Sequence, residues 1–312
     1  MKLKIQARTE TISCKLCGCP DYSPYDKAEG WNIVSCKKCN FCYTNPRPIP
    51  EDLHLFYEEE YFKDERHFSK FYNEDGTPRA GHLANYRNRI EDVEEYVNQR
   101  GKIFELGAAR GEFLKVLEER GWKVSGLEIS ADAVKMAREL YNVHLDCGMI
   151  ETYSPKETYD VVCMYQTLEH VPDALFVLKK SFEMLKPGGV FVAEVPNLHC
   201  FESKWNYKRK ILSYDLPRHL NHFTPEILTK KAVETGFEKT HIKLFPDRIV
   251  REAIQFFRKP KDRINTLVTD KPGEIKAKPL AKTYKSTSTK IINTITEILP
   301  GWRFTIIAIK PK

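Results

Sequence analysis

Lys102-Ile-Phe-Glu105-Leu-Gly107-Ala-Ala-Arg-Gly111-Glu112-Phe-Leu-Lys-Val-Leu-Glu-Glu-Arg120 reads as a short buried strand, a glycine turn and a helix. Ile103, Phe104 and Leu106 form the brief apolar run of a strand, and the apolar positions 113, 114, 116 and 117 carry a helical period. The rhythm repeats downstream. Strands are predicted at Lys123–Glu128, Val143–Asp146, Tyr159–Met164 and Gly189–Val195, separated by helical segments such as Ser130–Leu140, with Ser130 as N-cap, and Asp173–Leu185. An amphipathic helix over about Leu83–Gln99 precedes the first strand, and Phe304–Lys310 reads as a last one. Strands alternating with helices predict an α/β fold with a parallel sheet covered on both faces.

In such a sheet ligands bind beyond the carboxyl ends of the strands, where the first glycine turn meets its helix. A dinucleotide turn has the pattern G-x-G-x-x-G, whereas this chain has Gly107 and Gly111 with Ala108 and Ala109 between them. Glu105 beside the turn would repel phosphates and welcome an ammonium group. Glu128, at the end of the second strand, is placed to accept hydrogen bonds from both ribose hydroxyls. An adenosine carrying an amino-acid tail satisfies all of these positions, and S-adenosylmethionine (SAM) is such a molecule.

These motifs resemble the class I SAM-dependent methyltransferases. The resemblance runs through Glu105-Leu-Gly107-Ala-Ala-Arg-Gly111, Gly126-Leu-Glu128-Ile-Ser, Asp160-Val-Val-Cys-Met-Tyr-Gln-Thr-Leu-Glu169-His170-Val-Pro-Asp173, Leu185-Lys-Pro-Gly-Gly189 and Arg218-His219-Leu-Asn-His222-Phe-Thr-Pro. It covers roughly residues 80–245 and the last strand. It implies a Rossmann-like seven-stranded sheet whose last strand is antiparallel. It also implies that Glu105 and Gly107 face the methionine portion of SAM, that Ala108 and Gly111 of the same turn belong to the cofactor site, and that Glu128 meets the ribose, Ile129 the adenine face, Gly148 and Met149 the adenine edge, and Tyr165 the sulfonium. Glycine and cysteine are more usual at positions 108 and 109.

Six of the nine cysteines lie between Cys14 and Cys42. Cys14-Lys-Leu-Cys17 and Cys36-Lys-Lys-Cys39 are separated by 18 residues, the spacing of a zinc site. Two tight turns aiming four thiolates at one ion complete a tetrahedron and leave no open position, so the predicted zinc is structural. Cys19 and Cys42 read as ordinary thiols, and an iron–sulfur cluster is the rival use of the four. Trp31–Ser35 and Phe41–Thr44 suit the small strands of a zinc ribbon, and a ribbon ahead of a Thr44-Asn-Pro-Arg-Pro linker resembles a bacterial subgroup of the same family.

For proton removal from an acceptor, His219 and His222 are the candidate catalytic residues, three apart in a loop before a helix capped by Thr224. His170 reads as pocket-shaping; Asn221, Tyr214, Trp205 and Tyr207 are lesser candidates. The net charge is +7, and the stretch from Arg258 to Lys290 carries all of it, with ten basic and three acidic residues. That stretch, with three prolines, reads as a solvated connection. The flanking apolar segments Ile249–Phe257 and Ile291–Leu299 could cap the sheet or rest on an anionic membrane surface. No apolar run approaches the roughly 18 residues of a spanning helix, and no secretory signal is read at Met1–Arg8, so the expected location is cytoplasmic. The chain divides into a zinc-ribbon segment (1–48), a linker and helical lid (49–100), a SAM-binding core (101–250), and a helical, basic insertion with the final strand (251–312). The expected acceptor is a small molecule, glycan or lipid precursor, methylated on oxygen or carbon. The rivals are an RNA methyltransferase, for which the core offers no interleaved basic and aromatic surface, a non-enzymatic scaffold of the same fold, and a nicotinamide oxidoreductase.

Overall fold

The computed structural model describes residues 7–28, 30–56, 80–199, 214–246 and 300–312. The aromatic segments between residues 57 and 72, Trp205, Tyr207, the apolar pieces at 249–257 and 291–299, and the basic stretch between them lie outside these residues.

The N-terminal part contains β1 (Thr9–Glu10), β2 (Tyr22–Ala28), β3 (Trp31–Cys36), β4 (Cys42–Thr44) and β5 (Arg47–Pro48), then a 3-10 helix, Pro50–Phe56. The core follows as α1 (Ala80–Glu94), β6 (Lys102–Leu106), α2 (Glu112–Glu119), β7 (Lys123–Glu128), α3 (Ala131–Tyr141), β8 (Asp146–Cys147), β9 (Tyr159–Tyr165), α4 (Ala174–Met184) and β10 (Leu185–Pro196). It closes with β11 (Asn221–His222), α5 (Pro225–Thr235), β12 (Lys239–Pro246) and β13 (Pro300–Ile309).

The main sheet has seven strands in the order β12-β13-β10-β9-β6-β7-β8. Strands β10, β9, β6, β7 and β8 are parallel, and the last strand, β13, is antiparallel to both of its neighbours. The period-2 alternation divides the core. Phe104, Val162, Met164 and Phe191 face α4 and α5 through Val177, Leu178 and Leu228. Ile103, Val161, Val190 and Val192 face α1 and α2 through Ile90, Leu114 and Leu117. Each such side chain contributes about 1.5–3 kcal/mol by leaving water.

Some boundaries move. The third strand is not Val143–Asp146 but the two residues Asp146–Cys147, because Val143 is buried under α2 and α3 instead of pairing. Helix α1 begins at Ala80 and ends at Glu94, whose carboxylate accepts from Arg100 at 3.0 Å and from both nitrogens of the Arg120 fork at 3.0 and 2.5 Å. These donors hold that carboxyl at about 2, below its ordinary 4.5, against the opposing effect of burial.

The ribbon is not a detached bead. Its four-stranded sheet runs β11-β4-β3-β2, so a strand from the core's second half completes it, pairing Asn221 with Tyr43 and His222 with Cys42. Phe41 packs on Phe223 with ring centroids 5.4 Å apart, and Leu16, Phe41 and Tyr43 share one apolar cluster with the main sheet. Among the described residues, no helix is long and apolar enough to cross a membrane.

Candidate active site

The glycine turn between β6 and α2 takes left-handed backbone at three positions: Gly107 (φ 69°), Ala109 (φ 47°) and Gly111 (φ 71°). At Gly107 a Cβ would lie 2.4 Å from the Thr167 hydroxyl, so only glycine admits the β9 loop this close. Ala109 pays about 1 kcal/mol for its conformation, and Glu128 offsets that cost. One carboxylate oxygen of Glu128 accepts from the Ala109 N–H at 2.8 Å and the other from the Ser130 N–H at 3.0 Å. Glu128 therefore shapes the turn and still has lone pairs for further donors.

Beside the turn lies an open cleft, with about 930 Å³ of empty space including the solvent at its mouth. Gly107, Glu128, Ile129, Gly148, Met149 and Tyr165 all line it, which brings six of the nine residues expected to hold SAM to one cavity. The other three are placed behind its surface. Ala108 is buried against the α1–α2 side of the sheet, and Gly111 packs against Ala137 and Val143. Glu105 is 3% exposed, and its Oε2 is buried with no hydrogen-bond partner. Burial pushes its carboxyl up to about 8; Arg89 opposes that shift and Glu128 adds to it.

The sequence reading missed Arg89. It lies on α1 with its guanidinium carbon 4.4 Å from the Tyr165 ring centroid and Nη2 3.6 Å from Glu194, and its Nε is buried with no hydrogen-bond partner. The Tyr165 hydroxyl donates to the Arg89 carbonyl at 3.2 Å. Helical spacing marks Arg89 only as one more charge on α1, and nothing in the pattern places it against Tyr165 and Glu194. Arg89 itself is not a lining residue, whereas Gln166, Thr167, Val171 and Leu53 line the cleft without having been singled out.

The far wall is the loop from Gln166 to Pro172. His170 lines the cleft, and its Nδ1 lies 3.1 Å from the Arg218 carbonyl, which fixes the proton on Nδ1 and leaves Nε2 as the acceptor nitrogen. The His219 ring packs edge-on against His170 at 4.6 Å, with Nε2 3.6 Å from Asp215. Burial lowers both imidazoles, His170 to about 4 and His219 well below its ordinary 6.5, so both are neutral at physiological pH. Glu169 is fully buried beneath them, and neither carboxylate oxygen has a hydrogen-bond partner. Asn221 pins the loop from behind, its Nδ2 donating to the carbonyls of Val171 (2.7 Å) and Leu168 (3.3 Å). The structure separates the two expected histidines. His222 belongs to β11, its ring lies 3.2 Å from the Thr44 hydroxyl and packs on Tyr214, and it is not among the residues lining the cleft.

In the ribbon, Cys14, Cys17, Cys36 and Cys39 present four sulfurs within 4.8 Å of one another. Cys14 and Cys39 are 3.6 Å apart and Cys17 and Cys36 3.5 Å. Four sulfurs at about 2.3 Å from a tetrahedral zinc would be roughly 3.8 Å apart, so the set fits that ion. Each knuckle closes alike: Gly18 and Asn40, one residue past the second cysteine, donate to the carbonyls of Cys14 and Cys36 and take left-handed φ. Burial pushes the Cys36 thiol up, but the Cys39 and Lys38 amides outweigh it and bring it to about 7. The Cys19 and Cys42 thiols turn to backbone carbonyls and stay outside the set.

A family model described as a methyltransferase domain matches residues 66–242. The chain belongs to that family. Among curated relatives, the ubiquinone biosynthesis O-methyltransferase of Idiomarina loihiensis is 32% identical over 95 residues, covering 28% of this chain and 39% of the relative. The protein of the same name from Coxiella burnetii is 26% identical over 126 residues, covering 38% and 53%. The chain thus spans about half the length, or less, of these relatives. A SAM-dependent methyltransferase structure from Archaeoglobus fulgidus superposes with a TM-score of 0.53 at 22% identity, over 81% of this chain and all of the other. Phosphoethanolamine N-methyltransferase 2 of Haemonchus contortus, in complex with SAM, gives 0.53 at 14% identity over 93% and 71%. These superpositions show that the chain shares its fold with those structures.

Proposed function

We propose that this chain transfers a methyl group from SAM to an oxygen of a small-molecule acceptor, with the ribbon as a zinc-held structural element. The observation that carries the reading is the pairing of Glu128 on the cleft wall with the buried, unpartnered Glu105 behind it, on either side of a turn too close to β9 for any residue but glycine. Glu128 would accept from the ribose, Ile129 and Met149 would enclose the adenine, and Glu105 and Arg89 would meet the ammonium and carboxylate of the methionine end. Bound SAM would supply a methyl group on a positively charged sulfur. The chain's task is to position the acceptor in line with it, exclude water and take a proton.

His170 is the group in this reading that takes the proton, because it is the one histidine among the residues lining the cleft. His219, favoured by the sequence, orients it from behind, and His222 stays with the ribbon. Oxygen is preferred over carbon by the names of the curated relatives; glycan and lipid-precursor hydroxyls belong to the same chemistry. The division of labour follows the boundaries at 48, 100 and 250.

Calorimetric titration with SAM and separately with NADH tests the cofactor. Micromolar SAM binding, weakened about tenfold in Glu128→Gln, is expected; binding of NADH alone would overturn the reading. His170→Gln should keep SAM affinity and lower kcat about a hundredfold. A base works in its neutral form, so its contribution is lost as pH falls through the folded value. With His170 near 4, kcat should stay flat from neutrality to about pH 5 instead of bending near 6.5. A bend at 6.5 retained in His170→Gln would assign the proton elsewhere.

A further inference from the structure

Arg47 lies on β5, just past the ribbon, with its side chain only 4% exposed. Its Nε donates to the Glu10 carboxylate at 3.0 Å, and its Nη1 reaches across to the core and donates to the Pro172 carbonyl at 2.5 Å. Pro172 lines the cleft and immediately precedes Asp173, the N-cap of α4. Glu151 also lines the cleft, where its Oε1 is buried without a hydrogen-bond partner. Leu53, six residues beyond Arg47, is itself part of the lining. One short segment thus lines the cavity itself and holds one of its walls. Joining the ribbon to the core does not by itself call for a buried arginine, since apolar residues of similar volume usually replace buried ion pairs with little loss of stability or a gain. A guanidinium, however, holds a carbonyl and a carboxylate at fixed angles, which an apolar side chain cannot do.

We propose that Arg47 is a positioning residue for the cleft, fixing the Gln166–Pro172 wall in place through its bond to the Pro172 carbonyl. It is not among the lining residues and acts through those that are. The inference rests on the reading of the cleft as a SAM site.

The test is SAM titration of full-length, zinc-loaded protein carrying Arg47→Met, which keeps the bulk, or Arg47→Lys, which keeps the charge and one donor. SAM affinity should fall about tenfold in the methionine variant and about threefold in the lysine variant, with zinc content and melting temperature near wild type. A purely structural residue would move the melting temperature and leave the affinity of the folded protein alone. Wild-type affinity in folded, zinc-loaded Arg47→Met overturns the proposal. If that variant does not fold, Arg47→Lys decides on the same criterion. Wild-type protein that binds no SAM would instead overturn the cofactor reading on which the proposal stands.

Discussion

Removing the metal with a chelator, or replacing Cys36 with Ser, should unfold the ribbon and disturb the methyltransferase cleft with it. Three of the five strands there are too short to hold themselves: β1 and β5 have two residues each and β4 has three. Leu16, Val34, Phe41 and Tyr43 pack into the cluster shared with the main sheet, so within the ribbon a closed four-thiolate centre, whose binding is worth about 10–16 kcal/mol in small zinc domains, carries the local stability. Its loss is not confined to the ribbon. Strand β4 pairs with β11, Phe41 covers Phe223, the Thr44 hydroxyl donates to the His219 carbonyl at 2.8 Å, and Arg47 holds Pro172. Unfolding residues 8–48 would uncover that face of the core and release the loop carrying His170. The expected results are one zinc per chain in the purified protein and a melting temperature lowered by more than about 10 °C on chelation, since several kcal/mol are lost at about 2–4 °C each. Hydrogen exchange should accelerate in residues 31–44 and 166–172 together. Unchanged melting and exchange after metal removal would show that the four cysteines are not a folding element.

The sequence disclosed the parts of this molecule whose physics is local. The β6 strand, its glycine turn and α2 follow from a run and a period, and the zinc knuckles from a spacing that two turns impose. Glu128 was legible because the end of the second strand is a fixed number of residues from the turn. What stayed hidden depends on pairing across long separations. Strand β11 has two residues and takes its partner from nearly 180 positions earlier, so His222 looked like a loop histidine when it is part of the ribbon sheet. Glu112 read as an ordinary helix start, yet its carboxylate gathers Tyr86, Tyr141, His82 and Arg110 and fastens α1 to the turn. Ala108 and Gly111 were assigned to the ligand because they flank the turn. The structure uses them to pack its underside.

Glu105→Gln should make the empty protein more stable and the protein a far poorer SAM binder. The signs follow from the raised carboxyl. With an ordinary value of 4.5 and a folded value of about 8, Glu105 binds a proton more tightly in the fold than in the unfolded chain. Stability therefore falls as pH rises between those values, by about 3 kcal/mol at pH 7 for this group alone. Glutamine removes that titration but buries an amide in the same place, so a net gain of about 1–2 kcal/mol is expected, seen as a melting temperature higher by roughly 3–6 °C. Binding moves the other way. A ligand ammonium against Glu105 favours the ionised carboxylate, so SAM binding at pH 7 should release a proton, measurable by calorimetry in buffers of different ionisation enthalpy. Affinity should rise with pH up to about 8 and fall beyond it, as the amino group of free SAM, near 7.7–8.0, loses its own charge. In Glu105→Gln the rising limb and the proton release should vanish, and affinity at pH 7 should drop about a hundredfold, the cost of leaving a buried charge without its partner. A variant that is more stable yet binds SAM as wild type does, with the rising limb intact, would place the ammonium elsewhere and leave Glu105 as a strained carboxyl beneath the turn.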